Sequence, residues 1–181
     1  MLPRNFSSEA IVLSRKNYGE ADRIITLFTK DYGKITLIAK GVRRPKSRKR
    51  GSLEVFGIVK FSAVRGKNWH IMTEAVIVDD LKKVRIDIRR VTVAYFIVET
   101  IHKLTKDEEA HKDAYKITRY YLNKLKISTS LKKLRHAFIR EIIISFGYWP
   151  RSKTLNNYDT ILEEITEREM TTSRVGRKLL T

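Results

Sequence analysis

Through the first eighty residues apolar and polar side chains tend to alternate, the period of a strand with one buried face. Segments 10–15, 23–30, 34–40, 53–64 and 69–78 are rich in Val, Ile, Phe and Thr and are separated by turn residues, which predicts five strands. Ile35, Leu37 and Ala39 alternate with Lys34, Thr36, Ile38 and Lys40, so the third strand should be half-buried with Lys34 and Lys40 pointing outward. Asp31-Tyr32-Gly33 reads as a tight hairpin in which Gly33 takes a positive φ, and Gly66-Lys67-Asn68 reads as a second. Gly41 is the other glycine at which a positive φ is expected. Hairpins 1-2-3 and 4-5, joined by a long connection, fit a small Greek-key barrel of the OB type, with an SH3-like barrel as the rival.

Past Asp79 the period lengthens to that of helices. Asp87 is placed to cap a helix through RRVTVAYFIVETIHKL, in which 93–98 is apolar apart from one Tyr hydroxyl, so this helix should be buried on most sides. Thr105 and Glu108 have capping-box spacing, with Ala110, Ala114, Ile117 and Tyr121 recurring behind them as a second helix. Leu131, Leu134, Phe138 and Ile142 mark a third, ended by Gly147 and Pro150. Asn156 or Asn157 caps a helix carrying Tyr158, Ile161, Leu162 and Ile165, and Ser173 starts a short last one. The expectation is an α+β chain: a five-stranded OB-fold barrel over residues 1–80, then an all-helical domain over 81–181. With no Gly/Ser-rich linker near Asp80, the two are expected to pack directly.

Charge changes what this fold is expected to meet. Thirty-eight Lys and Arg stand against twenty Asp and Glu, a net +18, and a field of that size favours nucleic acid or an anionic membrane. No apolar run approaches the length of a membrane span, the start lacks a signal peptide's apolar core, and there is no cysteine. A soluble, cytoplasmic protein is expected, without disulfides or thiolate metal sites.

The charge is densest in YGKITLIAKGVRRPKSRKRGS. Between Asp31 and Glu54 no acidic residue interrupts Lys34, Lys40, Arg43, Arg44, Lys46, Arg48, Lys49 and Arg50. Solvating surfaces usually mix both signs, so this run, punctuated by Gly41, Pro45, Ser47, Gly51 and Ser52, is expected to be a mobile loop whose cations meet phosphates. Of the aromatics Tyr18, Phe28, Tyr32, Phe56, Phe61 and Trp69, most are assigned to the core. Tyr18 and Tyr32 lie beside turns and are the candidates for stacking on bases.

Catalytic chemistry is sparse. His70, His102, His111 and His136 have no partner at metal-ligand spacing. The pairs Asp79-Asp80, Glu108-Glu109 and Glu163-Glu164 read as caps and helix-dipole partners at element ends. The glycines form neither GxxxxGK[ST] nor GxGxxG. No enzyme activity, metal or cofactor is expected.

Three segments in order, Tyr18-Gly19-Glu20-Ala21-Asp22-Arg23, Asp31-Tyr32-Gly33-Lys34 and Ala39-Lys40-Gly41-Val42-Arg43-Arg44-Pro45-Lys46-Ser47, resemble the amino-terminal signature of the bacterial RecO family of recombination and repair proteins. The close match covers residues 8–52, and Phe146-Gly147-Tyr148-Trp149-Pro150 is similar to the way that family ends a long helix. The resemblance implies an OB-fold followed by a helical domain. It further implies binding of single- and double-stranded DNA, annealing of complementary strands, docking with RecR and with the acidic tail of single-strand binding protein, and help in loading the recombinase RecA.

Many members of that family carry a cysteine zinc site soon after the Gly-Tyr-x-Pro turn. Here Arg151-Ser152-Lys153-Thr154 follows, so zinc is not expected. The chain is also shorter than most members. For the acidic tail, the candidates on the helical half are Arg119, Lys132, Arg135 and Arg140, with the last two rimming an apolar floor at Ala137 and Phe138. Two other functions fit the composition: an OB-fold RNA-binding protein of the translation apparatus, and a basic protein-protein adaptor.

Overall fold

The computed structural model describes residues 2–47 and 51–166. Its strands are β1 (Asn5–Tyr18), β2 (Asp22–Thr29), β3 (Gly33–Ala39), β4 (Ile58–Val64) and β5 (His70–Asp79). They close a barrel in the order β1-β2-β3-β5-β4. β3 and β5 run parallel and every other pair is antiparallel. This is the OB-fold and not its SH3-like rival.

β1 is far longer than its apolar alternation predicts because it serves two neighbours. Its first half pairs with β4, from Asn5 with Val64 to Ile11 with Ile58. Its second half pairs with β2, from Ala10 with Thr29 to Tyr18 with Asp22. The polar ends are strand because a neighbour's backbone pairs with them, and a register shift between Val12 and Ser14 marks the bend. Val12, Ile25, Leu27, Ile35, Leu37, Phe61 and Met72 line the interior. Each is worth roughly 1.5–3 kcal/mol by transfer from water.

β4 begins five residues later than expected. Residues 53–57 are not strand; Leu53 and Phe56 are buried there, and Phe56 holds φ 57° with its N–H on the Val12 carbonyl, 2.7 Å. An apolar run reads as strand by composition, but here Leu53 joins the barrel core while Phe56 and Gly57 bond to Val12 of β1 outside any regular strand.

The capping box expected at Thr105 and Glu108 does not form. The helix behind it starts at Lys112, and Glu108 sits at φ 58°. Residues Thr105–Lys112 join the compact unit of Met1–Asp80, while Leu81–Leu104 and Asp113–Thr181 make the other unit. Lys34 accounts for the override: its Nζ donates to the Thr105 carbonyl at 2.6 Å, and its own carbonyl accepts the Glu108 N–H at 2.8 Å. Paired backbone outweighs a local cap.

The second unit contains α1 (Lys82–Arg85), α2 (Ile88–Leu104), α3 (Lys112–Lys124, from its second residue), α4 (Leu131–Ser145) and α5 (Tyr158–Thr166). The Asp87 carboxylate accepts the Arg89 N–H at 2.9 Å, the expected cap of α2. Desolvation raises its pKa, but the Arg89 and Arg90 N–H groups and their guanidiniums outweigh that and hold it below the usual value. Val93, Ala94, Phe96, Ile97 and Val98 are buried, and Phe96 meets Phe138 of α4 edge to face. α4 ends with Gly147 at φ 77°. The Gly147 N–H reaches Ile144 O and the Tyr148 N–H reaches Ile143 O, the paired bonds of a Schellman stop. Glu163 and Glu164 lie inside α5 and not at its end. The helix expected from Ser173 lies outside the described residues.

Candidate nucleic-acid interface

The cationic run leaves β3 at one end of the barrel, where β1 ends and β2 begins. Tyr18 pairs with Asp22 and Arg23 with Ala39, so Tyr18, Asp22 and Lys40 fall in one row across three strands. The start of the run is pinned, not mobile. Gly41 holds φ 64° and gives its N–H to the Asp22 carboxylate at 2.7 Å. The Arg43 N–H reaches the Ala21 carbonyl at 2.9 Å, and its guanidinium reaches the Gly19 carbonyl at 3.1 Å. Turn bonds from Arg44 to Gly41 and from Ser47 to Arg44 continue the fold.

Val42 and Leu53 are fully buried in the barrel core on either side of the cations. The basic segment is therefore a loop between two apolar anchors. Lys40, Arg43, Arg44 and Lys46 are exposed, and Tyr18 is 49% exposed beside their root. Arg48, Lys49 and Arg50 lie outside the described residues.

Two of the expected contact residues are elsewhere. Tyr32 and Lys34 stand at the opposite end of β3, in and after the hairpin from β2. The Tyr32 ring is half-buried and edge-on to Phe6 at 5.5 Å, and its N–H bonds the Thr29 hydroxyl at 2.8 Å. The Lys34 side chain is 14% exposed and lies 3.5 Å from Asp107, in addition to its bond to Thr105. It is an internal tie and not an outward strand lysine. A lone lysine on a predicted outer face carries no mark of such a partner seventy residues away.

The sequence reading also missed exposed groups. Lys16 is exposed two positions before Tyr18 on β1, where strand alternation puts both on one face. Trp69, assigned with most aromatics to the core, is exposed at the β4–β5 turn near Arg65 and Lys67. Phe28, Phe56 and Phe61 are buried as expected. Among the described residues, no three His, Cys, Asp or Glu converge as a metal site, and no helix is long and apolar enough to cross a membrane.

In the helical unit the four expected cations do not form one rim. Arg135 is buried, ion-paired with Asp159 and stacked over the Phe96 ring at 3.9 Å. Arg140 donates to the Arg151 carbonyl at 3.1 Å, Arg119 is half-buried and Lys132 exposed. Phe138 is fully buried, so it is core and not a floor. A groove of about 410 Å³ lies instead where α3 turns into α4, lined by Tyr121, Lys124, Ile127, Lys133, Leu134 and Ala137 among others. Two cations flank apolar surface there. The Tyr121 hydroxyl donates to Glu141 at 2.7 Å, and burial followed by that carboxylate pushes its pKa well above the usual value.

The barrel, its topology and this loop define an OB-fold protein with a polycationic barrel end. Residues 1–81 match the family described as "Recombination protein O N terminal". A protein of Roseiflexus sp. named DNA repair protein RecO is 29% identical over 168 residues, 93% of this chain and 59% of the relative. One of the same name from Caldanaerobacter subterraneus subsp. tengcongensis is 30% identical over 150 residues, 81% of this chain and 60% of the relative. Another from a Thermoanaerobacter species reaches 34% over 119 residues, 66% and 48%. The chain is thus similar to the RecO family, with residues 1–81 matching that family's amino-terminal part. It spans 60% or less of the length of these three relatives.

Proposed function

We propose that this chain is a DNA-binding protein of recombinational repair that holds single- and double-stranded DNA at the polycationic barrel end and anneals complementary strands. The observation that carries this reading is the cationic loop, held between Val42 and Leu53 and set beside the exposed Tyr18. Arg43, Arg44, Lys40 and Lys46 supply phosphate contacts that carry little sequence information, and Tyr18 supplies a stacking face for an unpaired base. Arg48, Lys49 and Arg50 extend the same charge along the chain. No catalytic step is part of this function, which is binding and juxtaposition of strands in the cytoplasm.

The family likeness favours DNA over the structured RNA that OB-folds also bind. It also favours docking with RecR and with single-strand binding protein, and thereby help in loading RecA onto coated DNA. The α3–α4 groove suits an acidic tail with an apolar end, because Lys124 and Lys133 flank Ile127, Leu134 and Ala137.

The test is annealing of complementary oligonucleotides with and without single-strand binding protein, together with affinity measured across a salt series. The reading expects acceleration in both settings and a steep fall of affinity with salt. Preference for structured RNA over DNA in direct competition would replace it with the translation reading. No affinity for any oligonucleotide would leave the adaptor reading.

A further inference from the structure

The seam between β3 and β5 closes only at Leu37 with His70 and Ile38 with Ile71. β5 nevertheless runs on to Asp79, held from its other side by β4. Among the described residues no strand lies beside β5 past Ile71, because the chain after β3 turns away to bond with Ala21 and Asp22. Ile77 shows the consequence. It pairs with Val59 and so shares the core-facing side of Phe61 and Ala75, yet it is 42% exposed. On the other side of the strand Val76 is 55% and Val78 39% exposed. Three consecutive β-branched residues on a strand edge have the chemistry that pairs with another chain.

The outer face continues into a shallow cleft of about 380 Å³ across β1, β4 and β5, bordered by Ser7, Glu9, Lys60, Ser62, Glu74 and Val76. The charge of this edge opposes that of the molecule. In a chain of net +18, residues 68–81 contain no Lys or Arg and carry Glu74, Asp79 and Asp80, so β5 is itself acidic, with Lys60 of β4 paired beside Val76. The edge disfavours a second copy of itself: antiparallel pairing about 76 and 77 sets Glu74 opposite Asp79, and pairing about Ile77 alone sets it opposite Asp80, like charges in both registers.

We propose that the free edge of β5, from Thr73 to Val78, accepts an extended segment of a partner protein as an added strand, and that the segment alternates β-branched and basic residues. Its backbone completes the pairing that β3 abandons, its apolar side chains cover Ile77 and Val76, and its cations meet Glu74 on β5 itself. This surface is separate from the cationic loop and does not depend on the DNA reading.

The probe is a labelled, end-blocked peptide of alternating Lys and Val, titrated into the full chain by fluorescence anisotropy. Its control is the same peptide N-methylated at alternate backbone amides, which keeps charge and side chains but removes one row of strand donors. The unmodified peptide should bind at least about tenfold more tightly and slow amide hydrogen exchange at 73–78. Val76→Lys with Val78→Lys, both on the exposed outer face, should weaken it without changing DNA affinity, and Ile77→Thr should weaken it while conserving β-branching. Equal binding of the two peptides, or protection confined to other residues, overturns the proposal. Sedimentation showing a dimer that Val76→Lys with Val78→Lys returns to monomer also overturns it, and assigns the edge to a second copy.

Discussion

Gly33 faces the backbone of Glu109 so closely that a Cβ on it would lie 1.9 Å from the Glu109 carbonyl oxygen. The residue is held twice, since φ is also +72°. Gly41, at φ +64°, would place a Cβ no nearer than 3.7 Å to the Arg44 side chain. Gly41→Ala should therefore show backbone strain alone, about 1 kcal/mol. Gly33→Ala should cost clearly more, because it must also displace residues 105–112 from the barrel. Thermal melting of both variants checks this, and equal shifts would contradict the close approach.

Replacing Arg43, Arg44 and Lys46 by Glu should lower affinity for DNA of any sequence and flatten its salt dependence, by a slope of about 1 for each phosphate that is no longer neutralised. Melting should change little beyond the loss of the exposed Arg43 bond to the Gly19 carbonyl, since all three side chains are exposed and the anchors Val42 and Leu53 are untouched. Lys34→Glu should behave oppositely, melting earlier because its ties to Thr105 and Asp107 are broken and changing DNA affinity little. If Lys34→Glu matched the loop variant in DNA binding at unchanged stability, the division between the two ends of β3 would be wrong.

The barrel was legible because its strands are rich in Val, Ile, Phe and Thr and the turns carry Gly33 and Gly66 at the positions expected. What could not be read were features made by distant partners. Asn5, Ser7 and Asn17 are strand only because β4 and β2 pair with them. Leu53 and Phe56 look like strand and are buried ahead of it, outside any strand. For the interface, like charge without acid marked the loop from composition alone. Nothing local separated Lys40, which points to water, from Lys34, which is tied to Thr105. Arg135 misled in the same way: its spacing on α4 resembles that of a rim residue, and only the fold places Asp159 and Phe96 against it.

Arg135→Ala should destabilise the helical unit on the order of 2 kcal/mol, between the values for exposed and buried ion pairs, because it leaves Asp159 unpaired and uncovers Phe96. Lys124→Glu with Lys133→Glu should leave melting nearly unchanged and reduce binding of an acidic peptide with an apolar carboxyl end, most clearly at low salt. Isothermal titration of that peptide separates the two. Loss of binding in Arg135→Ala at intact stability, with no effect of the lysine pair, would move the site back to the α4 arginines.

His136 gives the helical unit a predictable response to pH. Its ring stacks on Tyr158 of α5 at 4.2 Å and 7°. Burial first, then the positive charge of Arg135, hold its pKa below the ordinary 6.5; Asp159 acts the other way, and Lys132 adds a smaller lowering. The folded ring is thus neutral at pH values where the unfolded chain is already protonated. Between the two pKa values the unfolded state binds more protons, so stability rises with pH across that window and falls as pH drops below the unfolded value. Under this sign the loss begins near pH 6.5 and levels off once the folded ring also protonates. His136→Gln keeps a polar, planar group on Tyr158 without that titration. Melting temperatures of wild type and variant, compared at about pH 7.5 and about pH 5.5 in constant salt, should show a smaller acid-induced drop in the variant. His70, His102 and His111 are common to both proteins, so the difference between the two drops belongs to position 136. Identical drops would mean that the stack on Tyr158 accepts the imidazolium as readily as the neutral ring.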